Sequence, residues 1–177
     1  SNVDVKKPTI FNMDLWFQKN VQTELAIIKR ELDKLKTGNI KNFMLTAFSA
    51  IITPVSNQAS DTKYVSTSKN IPDGKTIEKF SDKITQMKKR MELFSSQASK
   101  SSCIIHKMSA LDMNKIKDDS VDLIVTSPPY ANTYDYYLYH KHRMNWLEYD
   151  VKAPQSLEIG SRNKHSDDDM GINAYLT

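Results

Sequence analysis

The sequence predicts an α/β fold, with a helical segment over residues 1–100 and part of a mostly parallel sheet over residues 101–177. Three observations carry this reading. Apolar residues recur at three- and four-residue spacing through three stretches of the first hundred positions. Two short apolar runs in the second half, Cys103–Lys107 and Val121–Thr126, have the composition of buried strands. Pro128-Pro129 follows almost directly on the second run, so the chain turns at a strand's carboxyl end, where open α/β sheets place their ligands.

From Asn12 to Lys36 the residues Leu15, Val21, Leu25, Ile28, Leu32 and Leu35 form one helical stripe. Thr37-Gly38-Asn39 ends it, with Gly38 suited to a left-handed C-cap. A second helix runs from Ile40 to Val55 with Pro54 near its end, and the pair reads as a helical hairpin. Its apolar stripe serves either as packing on a sheet or as a cover over a cleft, and packing is the commoner use. Residues 58–73 are rich in Ser, Thr, Asn and Lys and read as a loop. A third helix covers Thr76–Lys100. Ile77, Phe80, Ile84, Met87, Met91 and Phe94 fall on one side and Lys79, Lys83, Lys88, Lys89 and Arg90 on another. A basic face of this kind suits phosphates, and it is equally what a solvated helix looks like.

Cys103–Lys107 is the first expected strand and Val121–Thr126 the second, adjacent and parallel. So small a sheet exposes an edge, and an exposed edge calls for a partner. The turn Ser127-Pro128-Pro129-Tyr130 has a chemistry of its own. The amino group on a nucleobase is a weak nucleophile, because its lone pair is delocalised into the ring. Hydrogen-bond acceptors draw it towards tetrahedral geometry. The Ser127 hydroxyl and the Pro128 carbonyl are such acceptors, and Pro129 holds the backbone rigid without adding a donor. Tyr130 offers a flat face to an extruded base. Taken alone, Pro-Pro-Tyr is more often a plain turn; the apolar run before it shifts the balance. Residues 134–149 read as a helix. Tyr134, Tyr136, His140, Lys141 and Arg143 there interleave aromatic and basic groups, as single-stranded nucleic acid requires. The same helix also suits inward packing of Tyr137, Leu138 and Trp146.

Asp122-Leu123-Ile124-Val125-Thr126-Ser127-Pro128-Pro129-Tyr130 resembles the catalytic strand and loop of the amino-methylating DNA methyltransferases, the N4-cytosine and N6-adenine modification methylases of restriction–modification systems. Ala131 to Tyr136, His140 to Arg143, Trp146-Leu147 and Glu158 to Arg162 are similar to later pieces of one branch of that family, and Phe48 to Ile52 with Ser56-Asn57 to a helical segment before the catalytic strand. The resemblance implies a partial Rossmann-like methyltransferase sheet, S-adenosylmethionine as cofactor, DNA as partner and a flipped target base. It makes Ser127 and Pro128 the groups that hold the amino nitrogen and Tyr130 the stacking face. Serine in the first position is similar to the cytosine-N4 enzymes, whereas Asp or Asn is usual in the adenine enzymes. The chain departs from the pattern in its glycines: Gly38, Gly74, Gly160 and Gly171 are all far apart, so no Gly-rich cofactor turn can be placed. Ser109 and Thr126 are the remaining weak candidates for cofactor contact. The expectation is therefore an internal fragment of such an enzyme, completed by a separate cofactor-binding half or by a homodimer. The alternative is a catalytically inactive nucleic-acid-binding or assembly module. An RNA or protein amino-methyltransferase is a third reading, since the same turn serves other amino groups.

Composition bounds these readings. The 177 residues suffice for one domain, or one small domain with a helical extension. A net charge of +4 and a pI near 9.0 permit nucleic acid without requiring it. A mean hydropathy of −0.55 places much of the chain outside a packed core. A single cysteine, Cys103, excludes an internal disulfide framework, a cysteine metal cluster and the cysteine nucleophile of cytosine-C5 chemistry. No metal site is expected. No apolar run is long enough to span a bilayer and no signal peptide is visible, so a cytoplasmic location is expected.

Overall fold

The computed structural model describes residues 5–98, 102–127, 130 and 135–158. It is mixed: helices α1 (Met13–Trp16), α2 (Lys19–Asp33), α3 (Asn39–Val55), α4 (Lys75–Gln97), α5 (Tyr136–Trp146) and α6 (Lys152–Leu157), with a two-stranded antiparallel ribbon, β1 (Gln58–Ser60) and β2 (Lys63–Ser66). Among the described residues no helix is long and apolar enough to cross a membrane.

The first helical stretch is two helices, not one. Phe17 is extended and fully buried, and it separates α1 from α2. The break is held by side chains. Gln22 Nε2 donates to the Phe17 carbonyl at 2.9 Å and to Asp14 Oδ1 at 2.7 Å, and Lys19 pairs with the same Asp14. Turning the backbone there drives the Phe17 ring inward. Gly38 does not close α2, which ends at Lys34 in ordinary helical conformation; it sits instead at the N-cap of α3.

The core lies between α2 and α3. Val21, Leu25, Ile28 and Leu32 of α2 face Phe48, Ile51, Ile52 and Val55 of α3. This is the stripe the apolar spacing predicts. Trp146 and His142 of α5 come from the second half of the chain and enter this same core, each about 1% exposed. Phe17 meets the Trp146 ring edge-on at 5.7 Å, and Phe48 does so at 6.4 Å.

The buried carboxylate Glu24 on α2 joins α4 to this core. Its Oε1 accepts the Gly74 N–H at 2.6 Å and its Oε2 the Thr76 N–H at 3.0 Å. A helix start carries unsatisfied N–H groups and partial positive charge, so a carboxylate from a neighbouring helix caps it. Glu24→Ala is expected to cost about 1–2 kcal/mol in urea denaturation, because charge-assisted bonds to two backbone donors are lost. The first half of α4 packs on the core through Thr76 and Phe80; Met91, Leu93 and Phe94 are exposed.

Two expectations are corrected in the loops. Residues 58–66 form the ribbon instead of plain loop, paired Gln58 with Ser66 and Ser60 with Lys63, with an irregularity between. The expected strands at 103–107 and 121–126 are irregular segments without a ladder among the described residues, and their side chains are exposed, Ile105 by 90% and Val125 by 88%. A parallel strand is stable only with neighbours on its edges and helices on its faces, and the described residues bring neither to these segments. Residues 152–157 form the short helix α6, with Asp150 accepting the Lys152 N–H just before it.

Candidate functional site

Residues 107–111, Ser127 and Tyr130, the start of α5 and the end of α6 line an open cleft of about 860 Å³. Lys107, Met108, Ser109, Ala110 and Leu111 line one side, Ser127 and Tyr130 another, and Tyr136, Leu157 and Glu158 the third. The size matches sites that take a small ligand or one nucleobase. Ser127, Tyr130, Tyr136 and Ser109, picked from sequence for separate reasons, share one wall system. Thr126 is exposed and does not line it. Pro128, Pro129 and Tyr134 lie outside the described residues, as does the resembling piece beyond Glu158.

The backbone turn at Tyr130 is tied to α5. Its N–H donates to the Tyr136 hydroxyl at 3.3 Å. Tyr136 is the first residue of α5, and its own N–H donates to Glu158 Oε1 at 2.5 Å, while the Tyr137 N–H approaches Glu158 Oε2 at 3.5 Å. Gln155 of α6 adds a bond to the Tyr137 hydroxyl at 3.2 Å. Thus α6 delivers a carboxylate to the positive end of α5 and fixes the helix start beside the cleft. Glu158 was legible only as part of the resembling segment; nothing in local sequence assigned it this capping role.

The other expected nucleic-acid residues point elsewhere. Arg143 is engaged inside the protein. Its Nε donates to the Ser49 carbonyl at 3.1 Å, its Nη2 to Asp61 Oδ1 at 2.6 Å, and its Nη1 lies 2.9 Å from His140 Nδ1. An arginine only donates, so His140 Nδ1 accepts and the imidazole proton sits on Nε2. Burial, with the Arg143 charge adding to it and Asp61 opposing, lowers the His140 pKa, which keeps the ring neutral. This arrangement pins α5 to α3 and to the Asp61 turn. Lys141 faces a third place, a smaller hollow lined by Phe11, Trp16 and Tyr64.

The described residues do not fit a nucleoside cofactor cradle. Such a cradle needs glycines where backbone approaches the ligand. The two described glycines, Gly38 and Gly74, begin α3 and α4, and neither lines the cleft.

No protein-family model matches the chain, and no solved structure matches it. Among curated proteins it is similar to the Type II methyltransferase M.MvaI of Kocuria varians, with 25% identity over 167 residues. That match takes in 86% of this chain and 36% of the relative, so the chain spans about a third of the length of the curated relative it matches. A match of that extent crosses residues 121–130 and the turn at Ser127.

Proposed function

We propose that the chain carries the base-holding part of an S-adenosylmethionine-dependent DNA methyltransferase that modifies an exocyclic amino group, cytosine N4, on a base flipped out of the duplex. The observation that carries this is the convergence of Ser127 and Tyr130 on one cleft, in a chain similar along most of its length to a Type II methyltransferase. In this reading the Ser127 hydroxyl and the Pro128 carbonyl accept the two amino hydrogens, which removes lone-pair density from the ring and places it on nitrogen. Tyr130 stacks on the extruded base, a contact of about 1–3 kcal/mol. Residues beyond those described, a second copy or a separate half supply the cofactor site, and these also cover the apolar surface of residues 103–107 and 121–125.

A second reading has its own support. With no cofactor cradle among the described residues, the chain serves instead as an inactive DNA-binding or assembly module. One assay separates them. Unmethylated DNA and isotope-labelled S-adenosylmethionine are mixed with the purified chain, and the DNA is digested to nucleosides. The expected product is N4-methylcytosine. Ser127→Ala is expected to lower its rate about a hundredfold, as loss of one aimed polar group at a reacting centre does. Label on adenine N6 would correct the base. No transfer even after a cofactor-binding half is supplied, together with salt-dependent DNA binding that ignores the cofactor, would establish the module reading.

A further inference from the structure

We propose that Glu158 and Tyr136 are positioning residues, which together hold the backbone that carries Tyr130 at the cleft. The proposal rests on the base-stacking reading of Tyr130 given above. A stacking face works only if its plane is fixed before the base arrives; otherwise binding must order the ring and its backbone at a cost in entropy. Tyr130 is exposed and lies outside any strand or helix. Backbone in such a place is ordinarily loose. Here the Tyr130 N–H donates to the Tyr136 hydroxyl at 3.3 Å, which ties it to α5.

That anchor is only as firm as the residue that carries it. Tyr136 opens α5, and helix starts fray because their first N–H groups lack intrahelical partners. Glu158 removes this weakness. Its carboxylate takes the Tyr136 N–H at 2.5 Å and faces the Tyr137 N–H at 3.5 Å. The charge at the positive end of α5 strengthens both contacts. At its other end α5 is locked into the core by Trp146. The relay thus runs from core to α5, to the Tyr136 ring, to the backbone of Tyr130. Glu158 lines the cleft and contributes through the helix start it caps.

The test reads the Tyr130 amide directly in the full chain carrying isotope-labelled tyrosine. The eight tyrosines give few signals, and Tyr130→Phe identifies the one required. Tyr136→Phe keeps the ring and removes the hydroxyl. It is expected to shift the Tyr130 signal and speed its hydrogen exchange about threefold to tenfold, the loss of one neutral hydrogen bond. Glu158→Ala should do the same, and Glu158→Gln, which keeps a carbonyl acceptor for the Tyr136 N–H, should restore most of the protection. Quenching of a single-stranded oligonucleotide containing 2-aminopurine then reads base stacking. Its affinity should fall about threefold to tenfold in Tyr136→Phe and further in Tyr130→Ala. An unmoved Tyr130 amide in Tyr136→Phe overturns the proposal. So does a Glu158→Ala effect that spreads equally to tyrosine amides throughout the chain, or that Glu158→Gln fails to rescue. If the amide responds as expected but Tyr130→Ala leaves the probe's affinity unchanged, the positioning of Tyr130 stands and the base-stacking reading fails.

Discussion

Trp146→Ala is expected to destabilise the protein by about 3–5 kcal/mol, the range for removing a large aromatic side chain from a closed core. Trp146 is nearly inaccessible, and its ring is edge-on to both Phe17 and Phe48. These two rings belong to different parts of the core: Phe17 to the break between α1 and α2, Phe48 to α3. Removing the indole therefore leaves a cavity that no single neighbour can fill. The indole N–H has no hydrogen-bond partner among the described residues. Trp146→Phe should accordingly cost much less, about 1–2 kcal/mol, because the smaller ring sheds a buried donor along with some area. Urea denaturation followed by circular dichroism measures both. A loss under about 1 kcal/mol in Trp146→Ala would mean that α5 is not docked where the structure has it. The consequence reaches the cleft, since Tyr136 stands at the opposite end of the same helix.

How much of this was legible in the sequence depends on how local the cause is. The α2 and α3 stripes are local, and three- to four-residue spacing finds them. The break at Phe17 is not, because it is enforced by Gln22 and Asp14 bonding across it. Nor is the start of α4, whose cap comes from Glu24, fifty positions away in Gly74's case. The ribbon at 58–66 has only Thr62, Tyr64 and Val65 as strand-forming signals and otherwise reads as polar loop. The segment 121–126 has strand composition in plenty, yet composition fixes only a preference. Pairing decides, and no described residue pairs with it. The cleft residues Ser127 and Tyr130 were visible because the turn chemistry names them, and Tyr136 because aromatic and basic residues interleave after the turn. His140, Lys141 and Arg143 were grouped with them by sequence proximity, but a helix turns about 100° per residue and distributes neighbours to different surfaces. Asp61, which claims Arg143, lies in a turn that local sequence did not mark as a partner.

Lowering the pH from 7 to 4.5 is expected to destabilise the protein through His142, and His142→Phe is expected to remove most of that dependence. The ring packs between Trp16 at 4.7 Å, Tyr64 at 5.2 Å and Phe17 at 5.3 Å. Neither ring nitrogen finds a hydrogen-bond partner among the described residues. Burial, with the Lys141 charge adding to it, lowers its pKa from 6.5 to about 4. The sign follows from the two states. Above pH 6.5 both are neutral there, and this site's stability is fully present. Below 6.5 the unfolded chain takes up a proton that the folded ring refuses, so stability falls with pH by up to about 1.4 kcal/mol per unit until about pH 4. The whole window amounts to roughly 3 kcal/mol. His140 contributes with the same sign, since its pKa is also lowered. The carboxylates of Asp14, Glu31 and Glu148, whose pKa values are lowered by lysine and other side-chain hydrogen bonds, lose their contributions further down, as pH falls through the acid range. His142→Phe keeps the aromatic contacts, cannot be protonated and buries no orphan nitrogen. At pH 7.5 it should be at least as stable as the parent, and at pH 4.5 more stable by about 2 kcal/mol. Denaturant midpoints taken at four pH values on both proteins decide it. Parallel curves would place the proton uptake on groups other than His142 and would require its ring to be solvated.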